Sequence, residues 1–305
     1  MFVTVLINNY NYARYLPEAV DSVLGQTYEN WELVIVDDGS SDESRDVIEK
    51  YDRENDRVRA IYQENGGQAS AIEVGFQAAK GEIVALLDAD DYYDPGYLQR
   101  IVEVYQEHPS CDMLLTGLQE FGASTKKVLS YGISQLTDLG FTTLGAATGK
   151  VFMGERTSAV SLRRSVIERI LPLPFHEDWR LCADWALARA TCLARVRKFY
   201  LPEPLAYYRI HDSNSWMSRD LDPCDNHSFL LSCNRLTRYY SDKFDYHSPL
   251  LGRKSLPYLL YKEARTGDKP ESILRSYIKA IKESHGGWFY RRRYVSAVKK
   301  LLRRS

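Results

Sequence analysis

The chain reads as an α/β protein: a mostly parallel β-sheet flanked by helices on both faces, with a helical C-terminal extension. Two patterns predict the sheet. Through residue 118, short β-branched apolar runs alternate with segments whose apolar residues recur at spacings of three and four. The connections between them are short, as units of a parallel sheet require. A third pattern, a shift beyond Asn214 to Tyr, Leu, Lys and Arg at helical spacing, predicts the extension.

Each element follows in order. VTVLI (Val3–Ile7) is a short apolar run of the kind a doubly covered parallel strand shows. YLPEAVDSVLGQ places Leu16, Ala19, Val20, Val23 and Leu24 on one helical face. ELVIVDD (Glu32–Asp38) is the second strand. SDESRDVIEKYDREN is a helix with Ser41 or Asp42 as its N-cap. VRAIY (Val58–Tyr62) is the third strand, QASAIEVGFQAA a helix, and EIVALLD (Glu82–Asp88) the fourth strand. Asp94-Pro95 opens the next helix, with Pro in its first turn, and DMLLTGL (Asp112–Leu118) is the fifth strand. From about Gly149 the alternation fails. Helices are expected near Ser165–Ile170 and Trp179–Leu193, then an extended piece over Leu201–Ile210, and a joint to the extension near Ser215–Asp220.

Composition narrows the class. The chain has 305 residues, of which 44% are apolar and 27% charged, as in ordinary globular proteins. A formal net charge of −1 gives no general reason to expect nucleic acid as a partner. The five Cys are scattered singly without CxxC spacing, which disfavours a disulfide framework or a zinc site and fits reduced thiols in a cytoplasm. MFVTVLINNYNY carries no basic leader, and no stretch approaches the ~20 apolar residues of a spanning helix. The 22 Tyr would suit a sugar-binding surface, but an ordinary core is the favoured reading.

Sheets of this kind bind ligands at the carboxyl ends of their strands. Asn8-Asn9-Tyr10, Asp37-Asp38-Gly39-Ser40 and Asp88–Asp91 all follow strands, with no Lys among them. The stretch ALLDADDYYDP sets four carboxylates (Asp88, Asp90, Asp91, Asp94) directly after a buried run. Such crowding of like charge is costly unless a cation sits among them. Without Cys or paired His, the donor set suits a hard divalent ion, Mg²⁺ or Mn²⁺, whose shell phosphate oxygens and water would complete. Neither GxGxxG nor GxxxxGK[ST] follows any strand, so a glycine cradle for phosphates is excluded.

Taken together, TVLINNYNYARYLPEAVDSVLGQTYENWELVIVDDGSSDES, QENGGQASA, AKGEIVALLDADD and YLPEPLAYYRIHDSNS resemble the inverting, GT-A-fold glycosyltransferases of the large bacterial family 2. The resemblance covers roughly residues 2–216, with the motifs in the family's order. It implies a Rossmann-like GT-A domain over 1–216, divided into a nucleotide-sugar-binding part (1–118) and an acceptor-side part (119–216), with the helical extension over 217–305. It also implies a nucleoside-diphosphate sugar donor, commonly a UDP-sugar, Mg²⁺ or Mn²⁺, and a glycan or lipid-linked acceptor. Position by position, Asn8 and Tyr10 fall at the nucleotide, with Tyr10 stacking on the base. Asp38 reads the uracil edge, supported by Asp37. Asp88 faces ribose or metal, Ala89 lies beside the nucleotide, and Asp90 is the principal metal ligand with Asp91 behind it. His211 falls near the diphosphate as a third metal ligand beside Asp88 and Asp90, with Arg209 next to it.

The chain departs from that pattern twice. Where the family carries Ala-Arg-Asn after the NGG turn, it has Ala71-Ile72-Glu73, so a phosphate-side cation is missing; Gln68 offers only neutral hydrogen bonds there. Arg156, Arg163 and Arg209 are the candidate replacements. The family's acceptor-side Glu-Asp pair also occurs in two versions, HEDW (176–179) and CADW (182–185). Inversion needs a carboxylate to take the acceptor's proton. Asp184 has the better spacing to LPEP, whereas Asp178 sits in the literal Glu-Asp pair. ThrSer (157–158) with SLRR (161–164) resembles the acceptor-side segment, or simply begins a strand and helix. Among Trp179, Trp185 and Trp216, sugar platform and core are both open, with core favoured for Trp185.

After His285 the sequence holds seven Lys/Arg and no acid, with Tyr294, Val298, Leu301 and Leu302 on one helical side. Residues 287–305 therefore read either as an in-plane helix making peripheral contact with the inner face of the cell membrane, or as a helix docked on its own domain. Two rival functions are a sugar-nucleotide pyrophosphorylase, which the absence of an early Gly-rich basic loop disfavours, and a Mg²⁺-binding phosphoacceptor signalling domain, which the length and YRIH disfavour.

Overall fold

The computed structural model describes all residues except 150, 152, 213–222, 247–255, 285–287 and 304–305. The first four strands, β1 (Val3–Asn9), β2 (Trp31–Asp37), β3 (Val58–Tyr62) and β4 (Ile83–Asp88), run parallel in the order β3-β2-β1-β4. Helices α1 (Leu16–Leu24), α2 (Ser44–Glu54) and α3 (Gln68–Ala78) connect them. Side-chain alternation divides β1 between two cores. Val3, Val5 and Ile7 join α1, α2 and α4 (Tyr97–Glu107), whereas Leu6 packs against α3. Burial on both faces is why these strands read as unbroken apolar runs.

The second half of the sheet is mixed. β5 (Tyr92–Tyr93) is followed by α4 and β6 (Met113–Gly122), with β7 (Lys127–Val128) pairing β6. After β8 (Thr137–Gly140) and α5 (Thr143–Ala147), β9 (Val160–Arg163) inserts antiparallel between β4 and β6. Then come α6 (Arg164–Ile170), α7 (Ala183–Leu193) and β10 (Lys198–Ile210), which lies parallel to β6 and antiparallel to β5 and β8. The sheet order is β3-β2-β1-β4-β9-β6-β10-β5, so the predicted mostly parallel α/β architecture is what the chain adopts.

Several expected boundaries shift. The second helix begins at Ser44, and Asp42 accepts its Ser44 N–H at 3.0 Å from outside the helix. The helix expected at Asp94-Pro95 begins at Tyr97, because Asp94 uses its carboxylate and carbonyl to close a turn onto the Gly96 and Tyr97 amides. The helix expected over Trp179–Leu193 begins at Ala183; residues His176–Trp179 form a separate 3₁₀ turn.

The extension is helical, as expected: α8 (Pro223–Lys243), α9 (Leu256–Ala264), α10 (Glu271–Glu283) and α11 (Trp288–Leu301). The joint expected near Ser215–Asp220 lies outside the described residues. Leu236, Tyr240, Leu260, Ile281 and Val298 enter the same core as α3 and α7. Of the two settings open to the stripe, lipid or the chain's own domain, it takes the second. Val298 is fully buried, Tyr294 stacks on Tyr261 at 5.6 Å between centroids, and Leu301 and Leu302 pack against the core.

One buried carboxylate fastens the extension to the sheet domain. Glu263 of α9 accepts the Leu144 and Gly145 amides at the start of α5 at 2.7 and 2.8 Å, and the Tyr277 hydroxyl of α10 at 2.6 Å. Glu263→Ala strands two amides and a phenol, so urea unfolding should show a loss of about 3 kcal/mol. Glu263→Gln should recover part of it.

Candidate active site

Strand register sets the site. Asn8 of β1 lies opposite Asp88 of β4, and Asn9 opposite Asp37 of β2, so the polar strand ends form one row. Above them opens a cleft of about 920 Å³. Asn8, Tyr10, Asp38, Gln68, Asp88, Ala89 and Asp90 all line it, and Asp184 and Arg156 line it from the second half of the chain.

The DADD turn gives each acid a different environment. Asp91 is 1% exposed and accepts the Ser158 hydroxyl at 2.5 Å and the Arg209 amide at 2.8 Å. Burial, then the charges of Asp90 and Asp88, pushes its carboxyl well above the usual range. Asp91 is thus a buried brace of the turn. Asp90 Oδ2 lies 2.9 Å from His211 Nε2, within hydrogen-bond reach. Asp88 accepts Gln68 Nε2 at 3.1 Å, while burial and the nearby charges of Asp90 and Asp184 raise it to about 7. Arg209 also donates to the Asp90 carbonyl and pairs with Glu18, while the aromatic rings of Tyr15 and Phe121 cover its guanidinium.

Asp37 and Asp38 diverge similarly. Asp37 accepts Asn9 Nδ2 at 2.8 Å and the Ser40 hydroxyl at 2.6 Å, away from the cleft lining. Asp38 accepts the Gly66 and Gly67 amides at 2.8 and 2.7 Å and Gln63 Nε2 at 2.6 Å, so it also fastens the NGG turn. Gly67 has φ +88°, and a Cβ there would meet Arg180 Cα at 2.5 Å. That close approach joins the two halves of the site, and Gln68 completes it by accepting the Ala183 amide at 2.9 Å. Tyr10 is 47% exposed at the rim.

Asp184 occupies the first turn of α7 and faces the cleft, where burial lifts its carboxyl to about 6 despite Arg156 nearby. Asp178 is not among the cleft-lining residues; it turns to Arg235 of α8 at 3.2 Å. Of the candidate cations, Arg163 donates to the Cys111 and Tyr105 carbonyls, and Arg209 is held as above. Arg156 lines the cleft, over the Tyr208 ring at 4.5 Å. Arg180, which no sequence pattern singled out, joins it there, bonded to Asn65. Trp179 is core at 1% exposure. Trp185, expected in the core, is only partly buried: it packs edge-on to Phe229 and lines the cleft. Trp216 lies outside the described residues.

Among the described residues, no group of three or more His, Cys, Asp or Glu is placed to hold a metal ion, so Asp88, Asp90 and His211 do not converge as a three-ligand set. The donors present instead fit an open site. Asp88 and Asp90 supply hard oxygens, and the buried Asn8 Oδ1 beside them has no hydrogen-bond partner.

The comparisons with known proteins agree. The sequence profile of glycosyl transferase family 2 matches residues 4–171. An uncharacterized glycosyltransferase of Nostoc sp. is 41% identical over 72% of this chain and 67% of its own length. This chain belongs to glycosyltransferase family 2. The glycosyltransferase GlyG of Streptococcus pneumoniae is 38% identical over 34% of this chain and 35% of its own length. Among solved structures, S. aureus TarS 1–349 in complex with UDP-GlcNAc superposes with a TM-score of 0.61 at 16% identity, covering 100% of this chain and 92% of that one. The mannosyltransferase PcManGT of Pyrobaculum calidifontis, in complex with GDP-Man and Mn²⁺, gives 0.53 at 17%, covering 98% and 84%. Both share the GT-A fold of this family 2 glycosyltransferase.

Asp38→Ala removes the acceptor of two turn amides. Unfolding should show a loss of about 3 kcal/mol, and limited proteolysis should open residues 63–68. A stability within 0.5 kcal/mol of the parent, on the order of an ordinary surface change, would contradict this role.

Proposed function

We propose that this chain is an inverting, metal-dependent glycosyltransferase that moves a sugar from a nucleoside-diphosphate sugar, a UDP-sugar, to a hydroxyl of a glycan or lipid-linked acceptor. The observation that carries this reading is the shared cleft: Asp184 from the acceptor half faces Asp88 and Asp90 from the nucleotide half, close enough that its charge raises Asp88. The bound nucleotide-sugars of TarS and PcManGT, and the Mn²⁺ of the latter, support the donor class.

In this reading Tyr10 offers a ring to the base, and Asp38 and Asn8 offer acceptors to its edge and to the ribose. Ala89 leaves room between the two acids that flank it. Asp88 and Asp90, with His211 orienting Asp90, would hold Mg²⁺ or Mn²⁺. A cation there would offset the negative charge of the departing diphosphate. Arg156, which pairs with Glu120 at 3.5 Å, replaces the cation missing after the NGG turn, since it lines the cleft and Arg163 and Arg209 do not. Asp184 takes the acceptor hydroxyl's proton as its oxygen forms the new bond to the anomeric carbon and the bond to the diphosphate oxygen breaks. A carboxyl raised to about 6 is ionised at neutral pH yet a stronger base than an ordinary aspartate.

Release of nucleoside diphosphate from a panel of nucleotide-sugars with Mn²⁺ tests the proposal. Asp184→Asn should lower kcat about 10²–10⁴-fold, whereas Asp178→Asn should keep most of it. EDTA should abolish turnover. The rate should fall as pH drops below about 6, where Asp184 binds its proton. Full turnover by Asp184→Asn with a dead Asp178→Asn would reverse the assignment of the base.

A further inference from the structure

We propose that the groove between α10 and α11 docks this chain on an anionic lipid bilayer. Of the two readings of the basic tail, the structure shows the docked helix, with its apolar side folded inward. What remains outside is a cationic face built from two helices. Arg275, Lys279 and Lys282 of α10 and Lys299 of α11 line a groove of about 540 Å³ whose apolar wall is Ile278 and Leu302. Glu283 is the acid on its lining, and Arg275 pairs with Glu271 on its own helix. Among the described residues, the ion pair on this face is that of Arg275 with Glu271, and Lys279 and Lys299 are set on the groove beside it. Lys300 and Arg303 extend the exposed charge.

This charge is segregated. The chain as a whole carries −1, yet it holds seven Lys/Arg and no acid after His285. Phosphate-bearing headgroups are the complementary chemistry: they present negative charge over an area, and the Lys stems can lie along Ile278 and Leu302 while their ammonium groups reach outward.

A second feature selects a bilayer over a soluble polyanion. Trp288 and Tyr290, at the start of α11, are 65% and 39% exposed, and Arg292 sits over the Trp288 ring at 5.1 Å. Large rings with one polar tip, placed beside cations, gain most at a headgroup boundary. A soluble polyanion would use the cations and leave the indole idle.

The test is co-flotation of the full chain with vesicles of phosphatidylcholine alone and of phosphatidylcholine with 40 mol% phosphatidylglycerol (a composition of the assay, chosen on the order of bacterial anionic content) at low and moderate salt. Binding should require the anionic lipid and weaken as salt rises. Each neutralised cation should weaken it about fivefold, so Lys279→Gln/Lys282→Gln/Lys299→Gln should bind on the order of 100-fold more weakly with an unchanged melting temperature. Trp288→Ala should weaken binding further, whereas added polyphosphate at equal ionic strength should compete only in part. Equal flotation with neutral vesicles, or undiminished binding by the triple variant, overturns the proposal. Complete displacement by polyphosphate together with an inert Trp288→Ala would assign the groove to a soluble polyanion instead.

Discussion

The site depends on one electrostatic constraint: three carboxylates, Asp88, Asp90 and Asp91, are held within a single turn at the end of a buried strand. Left to themselves they would repel one another and resist ionisation, and two of them are accordingly raised. The fold answers by separating their duties. Asp91 is sealed beneath the turn by Ser158 and the β10 backbone. Asp88 and Asp90 are left at the cleft, Asp88 with the neutral partners Gln68, Asn8 and Thr157 and Asp90 with His211. β5–β10 pairing keeps this arrangement stiff: Tyr92 opposes Tyr207, with rings stacked at 4.4 Å, and Arg209 two residues later clasps the turn.

The same turn explains why the two halves of the domain must meet. Asn8, Asp38, Asp88 and Asp90 come to the cleft from the ends of β1, β2 and β4, whereas Asp184, Arg156 and Trp185 arrive from the segment after β9 begins and the loop before it. Gln68 bridges them, with one amide end on Asp88 and the other on the first turn of α7. Its neutral side chain suits that place, since a cation there would lie against the Ala183 amide. Glu73 is drawn to His176 and the Leu173 amide.

Much of this was legible in the sequence because it rests on local rules. Parallel strands buried on both faces must be apolar throughout, so β1 to β4 declare themselves, and residues just beyond them fall at the ligand edge by topology alone. What was not legible depends on long-range packing. Nothing near Arg180 marks it for the cleft; it arrives there because Gly67 permits contact with its backbone. Asp178 and Asp184 look alike in their motifs, and only the placement of α8 turns Asp178 toward Arg235. The stripe Tyr294, Val298 and Leu301 is amphipathic in either setting, and α9 and α10 decide which surface it meets.

Proton release on metal binding probes the acid turn most directly. Without metal, Asp88 is raised to about 7, so a cation must expel a proton to bind it. Calorimetric titration with Mn²⁺ at pH 7, in two buffers of different ionisation enthalpy, should show release of roughly half a proton or more per ion, with affinity rising from pH 6 to 8. Binding without proton release, at an affinity independent of pH, would contradict the picture of a cation held by that buried carboxyl pair.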